Sequence, residues 1–286
     1  MDIITRVSKL PAMGETISGK SVEYLAGGKG LNQAIAAAKM GVETTLIGRI
    51  GNDVFADALH GFIKQHSINT DHVRKSNKES GTAFITVDEN GQNTIIVVSG
   101  SNGDVNIDDV SGVKIDKDDI VISQFEIPIP TVTALFNRAK KAKAKTILNP
   151  SPIQNIPKEL LSVTDILIVN ETELGFIKGE HISDNTSMKD IEDTAQQIKT
   201  HKDQIIIVTL GSKGALVVES NAYLVETYKI SAIDTVGAGD CFTGVTASQL
   251  SEKKSIKESV QIANKAASIC CTRKGAAPSM PYKSEL

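Results

Sequence analysis

The stretch that decides the fold lies near the C-terminal end: Asp234-Thr-Val-Gly-Ala-Gly-Asp-Cys-Phe-Thr-Gly244. Gly237 and Gly239 permit a tight backbone that aims several N–H groups at one point. The helix-compatible run 241–250 that follows adds the partial positive charge of its N-terminus. Together they make an anion site with the carboxylate of Asp240 at its edge. A carboxylate is a poor ligand for an anion, but it suits a general base that deprotonates a hydroxyl attacking a phosphoryl group. A glycine turn whose aspartate caps a helix is the plainer reading, and the stretch taken alone favours it. The rest of the chain has to decide.

Working back from that stretch, residues 105–228 read as strand alternating with helix. Strands are predicted at 119–124, 146–148, 165–169 and 205–209, and helices at 131–143, from 170 onward, and at 188–201. The strands end in Asn149-Pro-Ser-Pro152, Asn170-Glu-Thr-Glu173 and Leu210-Gly-Ser-Lys-Gly214. Polar and glycine residues gathered at the carboxyl ends of buried strands are where an open α/β sheet binds its ligand. A strand pair at 215–219 and 223–228 leads into Asp234. Beyond it, a capping box at Ser255 and Glu258 opens a last helix to 271. The loop Thr272-Arg-Lys-Gly-Ala-Ala-Pro-Ser279 is rich in backbone carbonyls, fit for a monovalent cation or a nucleotide edge, with ordinary turn chemistry as the alternative.

Toward the N-terminus, strands are expected at 2–7 and 16–24 around a turn at Pro11-Ala-Met-Gly14. Ala26-Gly-Gly-Lys-Gly30 then opens a helix over 31–40 closed by Gly41. It is not a Walker A loop, because Lys29 is followed by Gly30 and no Ser or Thr is placed for magnesium. Lys29 and Asn32 suit a polyol, and a bare glycine turn is an equally good reading of the same residues. A buried strand is expected at 44–50, and Asn52-Asp53 caps a helix to 66. Segments 82–88 and 94–99, joined by Glu89-Asn-Gly-Gln92, form a hairpin that belongs with 16–24 to a small separate β layer.

The 286 residues suffice for a large core, and 40% hydrophobic with 23% charged residues is ordinary for a globular protein. A net charge of −3 argues against general nucleic-acid affinity. Cys270 and Cys271 are adjacent and Cys241 stands at a helix start. No CxxC or paired histidines suggest zinc. With no apolar leader and no membrane-length run, the expectation is a soluble cytoplasmic protein.

Seven motifs in register resemble the ribokinase-like sugar kinases over almost the whole chain: residues 11–16, 26–34, 149–152, 170–173, 209–214, 234–240 and 272–279. The resemblance implies a Rossmann-like α/β fold with a mostly parallel sheet, helices on both faces and a small β lid. The lid is expected from about 2–7, 16–26, 82–88 and 94–99, all within one kinase domain spanning 1–286. It also implies ATP-dependent phosphorylation of a small sugar, the 5-hydroxyl of ribose first, deoxyribose or another sugar second. Asp240 would be the base, with Gly237, Ala238 and Gly239 lining the anion hole. Asp2, Gly27, Gly28, Lys29, Asn32 and Glu126 would hold the sugar. Asn170, Thr209, Gly211, Ser212, Gly214, Gly239 and Asn264 would surround ATP. Asp234, Val236, Cys270, Arg273, Gly275 and Ser279 match the potassium loop. Glu173 is associated with Mg2+, although Asn170 and Glu173 also have capping-box spacing. Lids in this family pair between subunits, which implies a homodimer.

One feature of the family is missing. Its members open with an apolar central strand ending in Asn-x-Asp, and Met1-Asp2 starts at the last two residues of that motif. The expectation is a truncated form of a longer kinase, with a groove where the strand would pair. An inactive sugar- or nucleotide-binding protein therefore competes with the kinase. An NAD-linked oxidoreductase is disfavoured, since Gly237-Ala-Gly239 is followed by Asp-Cys-Phe rather than x-x-Gly after a first strand.

Overall fold

The computed structural model describes residues 1–183 and 185–286. Its largest sheet has six strands in the order β12-β11-β10-β9-β8-β7. These are β7 (Ile120–Ser123), β8 (Lys145–Leu148), β9 (Ile166–Asn170), β10 (Ile205–Thr209), β11 (Ala215–Val218) and β12 (Ala222–Val225). The first four are parallel, and β11 and β12 turn back antiparallel. The runs Ile-Leu-Ile-Val in β9 and Ile-Ile-Ile-Val in β10 are apolar on both faces because both faces are covered. Ile166, Ile168 and Ile207 join one core with helices α1 (Lys29–Lys39), α8 (Ala238–Ser251) and α9 (Ile256–Cys271). Leu167, Val169, Ile206 and Val208 point to the other core, with α4 (Ile129–Ala142), α5 (Lys158–Ser162), α6 (Glu171–Lys178) and α7 (Met188–Gln197). The expected α/β class, a mostly parallel sheet sandwiched by helices, is the fold observed.

A second sheet has the order β2-β1-β5-β6, from β1 (Asp2–Arg6), β2 (Ser21–Leu25), β5 (Thr82–Val87) and β6 (Asn93–Val98). The hairpin is present. β2 is shorter than the predicted 16–24, because Glu15 folds its carboxylate onto Lys9 and the Ala12 N–H and holds the preceding segment as a turn.

Two other expectations are corrected. Segment 44–50 was expected to be buried; β3 (Thr45–Ile50) is half-buried, and only Ile50 is enclosed. It pairs in parallel with β4 (Asn69–Lys75), which the polar sequence Asn-Thr-Asp-His-Val-Arg-Lys gave no reason to expect. The two form a sheet of their own, apart from β7. Asp53 was expected to cap the next helix directly. Helix α2 (Ala56–Gln65) instead starts three residues on, because Asp53 also binds the Ser80 backbone and hydroxyl at the foot of the small sheet. A cleft enclosing about 1100 Å³ up to its open mouth lies between β3, the small sheet and the loop after β7.

Candidate active site

Helix α8 begins at Gly237, whose φ of 79° is left-handed and whose absent Cβ would fall 2.7 Å from the Ala276 Cα. Loop 272–279 therefore presses directly on the turn that opens the helix, and only glycine fits. Gly239 faces open space. The Ala238 N–H turns back to the Thr235 carbonyl at 3.2 Å, so the amides of the following residues are the ones left to face the pocket. Asp240 is in the first turn and only 7% exposed.

Helix α1 supplies the partners of Asp240. The Asn32 amide donates to one carboxylate oxygen at 3.0 Å and the Gln33 amide to the other at 3.1 Å. Burial pushes the Asp240 carboxyl upward, and the positive charge of Lys29 with the two amides opposes that shift. Lys29, Asn149, Asn170, Glu173, Thr209, Gly237, Gly239 and Asp240 line one polar pocket, so residues from five separate stretches meet where the sheet's parallel strands end. The sequence assigned Lys29 to the sugar alone; the structure sets it in this pocket as well. The Asn32 Oδ1 is buried without a hydrogen-bond partner.

The adjoining cleft is lined by Asp2, Gly27, Gly28 and Glu126. A Cβ on Gly27 would fall 2.1 Å from the Asp2 carboxylate, and Gly28, with φ 101°, clears Glu126. Glu126 accepts the Lys29 backbone N–H at 2.8 Å. Burial raises both acids, Glu126 further by its proximity to Asp240 and Asp2, and Asp2 further by its proximity to Asp240. Three carboxylates with raised protonation, Glu126, Glu173 and Asp240, thus lie within the field of Lys29; a cluster of this kind marks a functional site more often than a structural one.

The remaining predicted residues divide into those at the pocket and those behind it. Asn170 and Glu173 make a reciprocal capping box at 2.8 and 3.0 Å, so the plain capping role holds even while both line the pocket. Gly211 and Gly214 take left-handed and extended-positive φ values around Ser212, and a Cβ on Gly214 would meet the Val225 carbonyl at 2.2 Å. Asn264 is buried with its amide on the Val225 carbonyl at 2.8 Å, so it acts on that segment through the backbone. Asp234 binds the N–H groups of Val236 and Gly275, joining the two loops of the predicted cation site. The Cys270 thiol meets the Ser279 hydroxyl at 2.8 Å, and Arg273 pairs with Glu285 at 2.5 Å. Gln33 and Lys39 escaped the sequence reading. Lys39 is buried and donates to the Ala277 and Met280 carbonyls, tying α1 to loop 272–280. The signal for both was polar residues on the inner face of a helix, visible only once that face is known.

A buried carboxylate at a helix N-terminus, a lysine in the same pocket and an open cleft beside them suit a phosphotransferase acting on an alcohol. A family model described as pfkB family carbohydrate kinase matches residues 1–283, and the chain belongs to that family. It is a sugar kinase. The ribokinase of Staphylococcus aureus (strain COL) is 36% identical over all of this chain and 95% of its own length. Among solved structures, Thermotoga maritima ribokinase superposes with TM-score 0.87 at 33% identity, covering 99% of this chain and 94% of that one. Arabidopsis thaliana ribokinase complexed with ribose and ATP gives TM-score 0.87 at 34% identity over 99% and 93%.

Proposed function

We propose that the chain phosphorylates D-ribose at its 5-hydroxyl with ATP. The observation that carries this reading is Asp240 itself, buried, held by two amides from α1, and sharing a pocket with Lys29 and the opening turn of α8. The sugar sits in the cleft against Asp2, Gly27, Gly28 and Glu126, with Asn32 reaching between sugar and base. Asp240 takes the hydroxyl proton as the oxygen attacks the γ-phosphorus. The backbone at Gly237 and Gly239, the dipole of α8 and Lys29 stabilise the charge spreading over the transferred group; Ala238, expected in the anion hole, instead turns its N–H to the Thr235 carbonyl. The raised carboxyl suits the task, since a base poised closer to neutrality accepts a proton more readily. ATP lies across the ends of β9 and β10, near Asn170, Thr209, Gly211, Ser212 and Gly214.

Mg2+ fits as an ion carried mainly by the nucleotide. Among the described residues no cluster of three His, Cys, Asp or Glu forms a protein cage, and Glu173 offers one carboxylate. Bound there, it would neutralise phosphate charge. K+ fits the oxygen-only donors of Asp234 and the carbonyls of Val236, Cys270, Arg273 and Gly275, with Ser279. The Asp234–Gly275 bond, which joins the two loops that carry these donors, supports the reading. The small sheet acts as a lid that excludes water and pairs with a second copy.

The test is ribose-dependent ADP formation with Mg2+ and K+, beside Asp240→Asn. Turnover by the parent, falling about a thousandfold or more in the variant, is expected. Undiminished turnover by Asp240→Asn would remove the assigned base. Faster turnover of deoxyribose than ribose would replace the substrate.

A further inference from the structure

We propose that Gln33 is a positioning residue for Asp240, clamping one carboxylate oxygen through a hydrogen-bonded link that runs back to the sheet. This deepens the function proposed above and rests on Asp240 being the base. Gln33 is 1% exposed on the inner face of α1. A primary amide enclosed there needs polar partners, and it has two: its Nε2 lies 3.1 Å from the Asp240 Oδ1 and 3.5 Å from the Asn149 Oδ1. Asn149 stands just past the end of β8 and donates to the Ile168 carbonyl of β9 at 3.0 Å. The link therefore joins the acid to the most enclosed strands of the molecule.

The backbone of Gln33 is fixed as firmly as its side chain. Gly244 follows Asp240 by one helical turn on α8, and a Cβ there would fall 2.2 Å from the Gln33 carbonyl oxygen and 2.7 Å from the Ala36 Cβ. The two helices touch at Gln33 with no side chain between them. From that contact the glutamine side chain reaches one turn along α8 to Asp240. Asn32 holds the other oxygen and keeps its own Oδ1 buried without a partner, whereas the Gln33 Nε2 is shared between Asp240 and Asn149.

An amide donor favours the ionised carboxylate, so its loss makes Asp240 hold its proton to higher pH. The other charges acting on or felt from Asp240 are Lys29 on α1, Asp2 on β1, Glu126 after β7 and Glu173 on α6, with the Cys270 thiol on α9. All remain in a Gln33 variant, so a shift reports the missing amide.

The experiment compares the parent with Gln33→Met, which keeps length and removes the amide. Two readouts are taken: the pH profile of kcat for ribose, and the carboxyl 13C titration of Asp240, identified by its loss in Asp240→Asn. Expected are a kcat lowered about tenfold to a hundredfold at neutral pH, a ribose KM within about threefold, and both the acid limb and the 13C midpoint moved upward. An unmoved 13C midpoint in folded Gln33→Met overturns the proposal, as does a ribose KM that rises as much as kcat falls. Should Gln33→Met not fold, Gln33→Asn keeps an amide in the interface but shortens its reach, and the same readouts decide. A parent inactive on every sugar would sink the kinase reading of the site, while the 13C midpoint would still decide whether Gln33 governs Asp240.

Discussion

Glu126 shows how a single residue records the conflict between binding and stability. Its carboxylate is drawn into the cleft by the Lys29 N–H, and burial, with Asp240 and Asp2 nearby, raises its protonation. A carboxyl raised in the folded state binds its proton more tightly there than in the unfolded chain. Ionising it therefore costs stability, a cost absent below the unfolded value near 4.5 and growing as pH rises toward the folded one. Glu126→Gln keeps an oxygen for Lys29 and cannot ionise. Its thermal midpoint should gain on the parent's as pH rises above about 4.5, while ribose affinity falls. A gap independent of pH would mean that burial does not dominate this group. Asp240, Lys29 and Glu173 were legible in the sequence because glycine spacing and short motifs mark them. Gln33 was not. It sits inside the quoted Gly-Gly-Lys-Gly-Leu-Asn-Gln run, yet nothing local distinguishes a glutamine that faces solvent from one that holds a carboxylate across a helix interface.

At the scale of elements, the crossing of α1 on α8 does more for the site than either helix alone. The N-terminal end of α1 carries Lys29 and Asn32, its middle carries Gln33, and its C-terminal end carries Lys39, whose buried ammonium fastens the loop behind Gly237. Gly244 sets how closely the helices approach. In Gly244→Ala the new methyl meets backbone, which cannot rotate away, so the helices must separate. A cost of about 1–3 kcal/mol is expected, a loss of several degrees in Tm. Since separation draws both amides off Asp240, kcat should fall more than ribose affinity. Calorimetry with steady-state kinetics checks both, and a variant with unchanged Tm and kcat would show that the contact yields elsewhere. The enclosed strands β9 and β10 were readable as apolar runs, because a strand covered on both faces must be apolar throughout. β4 was not readable: a polar strand held by pairing to β3 carries no periodic signal, and its existence depends on a partner distant in sequence. The same dependence left the exposure of β3 unforeseen.

At the scale of the molecule, the small sheet is built unlike the large one. β6 runs Asn-Thr-Ile-Ile-Val-Val and is exposed along its whole length, with Ile96 68% exposed and an open edge. Val22 and Tyr24 on β2 and Phe84 on β5 add apolar surface to the same sheet. One side of the sheet serves the cleft, where Ala83 and its cross-strand partner Val97 contribute to the lining. Among the described residues no element covers the other, and an apolar edge strand left open is prone to pair with another strand. A second copy of the sheet would cover both at once, which argues for the proposed dimer over a lone lid. Pairing would also stiffen the strand β1 that carries Asp2 into the cleft, since β1 reaches β6 only through β5. Ile96→Lys places a charge on the face to be covered without touching Asp240 or its partners. Sedimentation should show a dimer for the parent and a monomer for the variant at the same concentration. Ribose KM should rise severalfold with kcat less affected if, as proposed, the lid closes on the sugar and not on the phosphoryl group. A parent that sediments as a monomer would remove the dimer and leave the exposed face of β6 to a different partner.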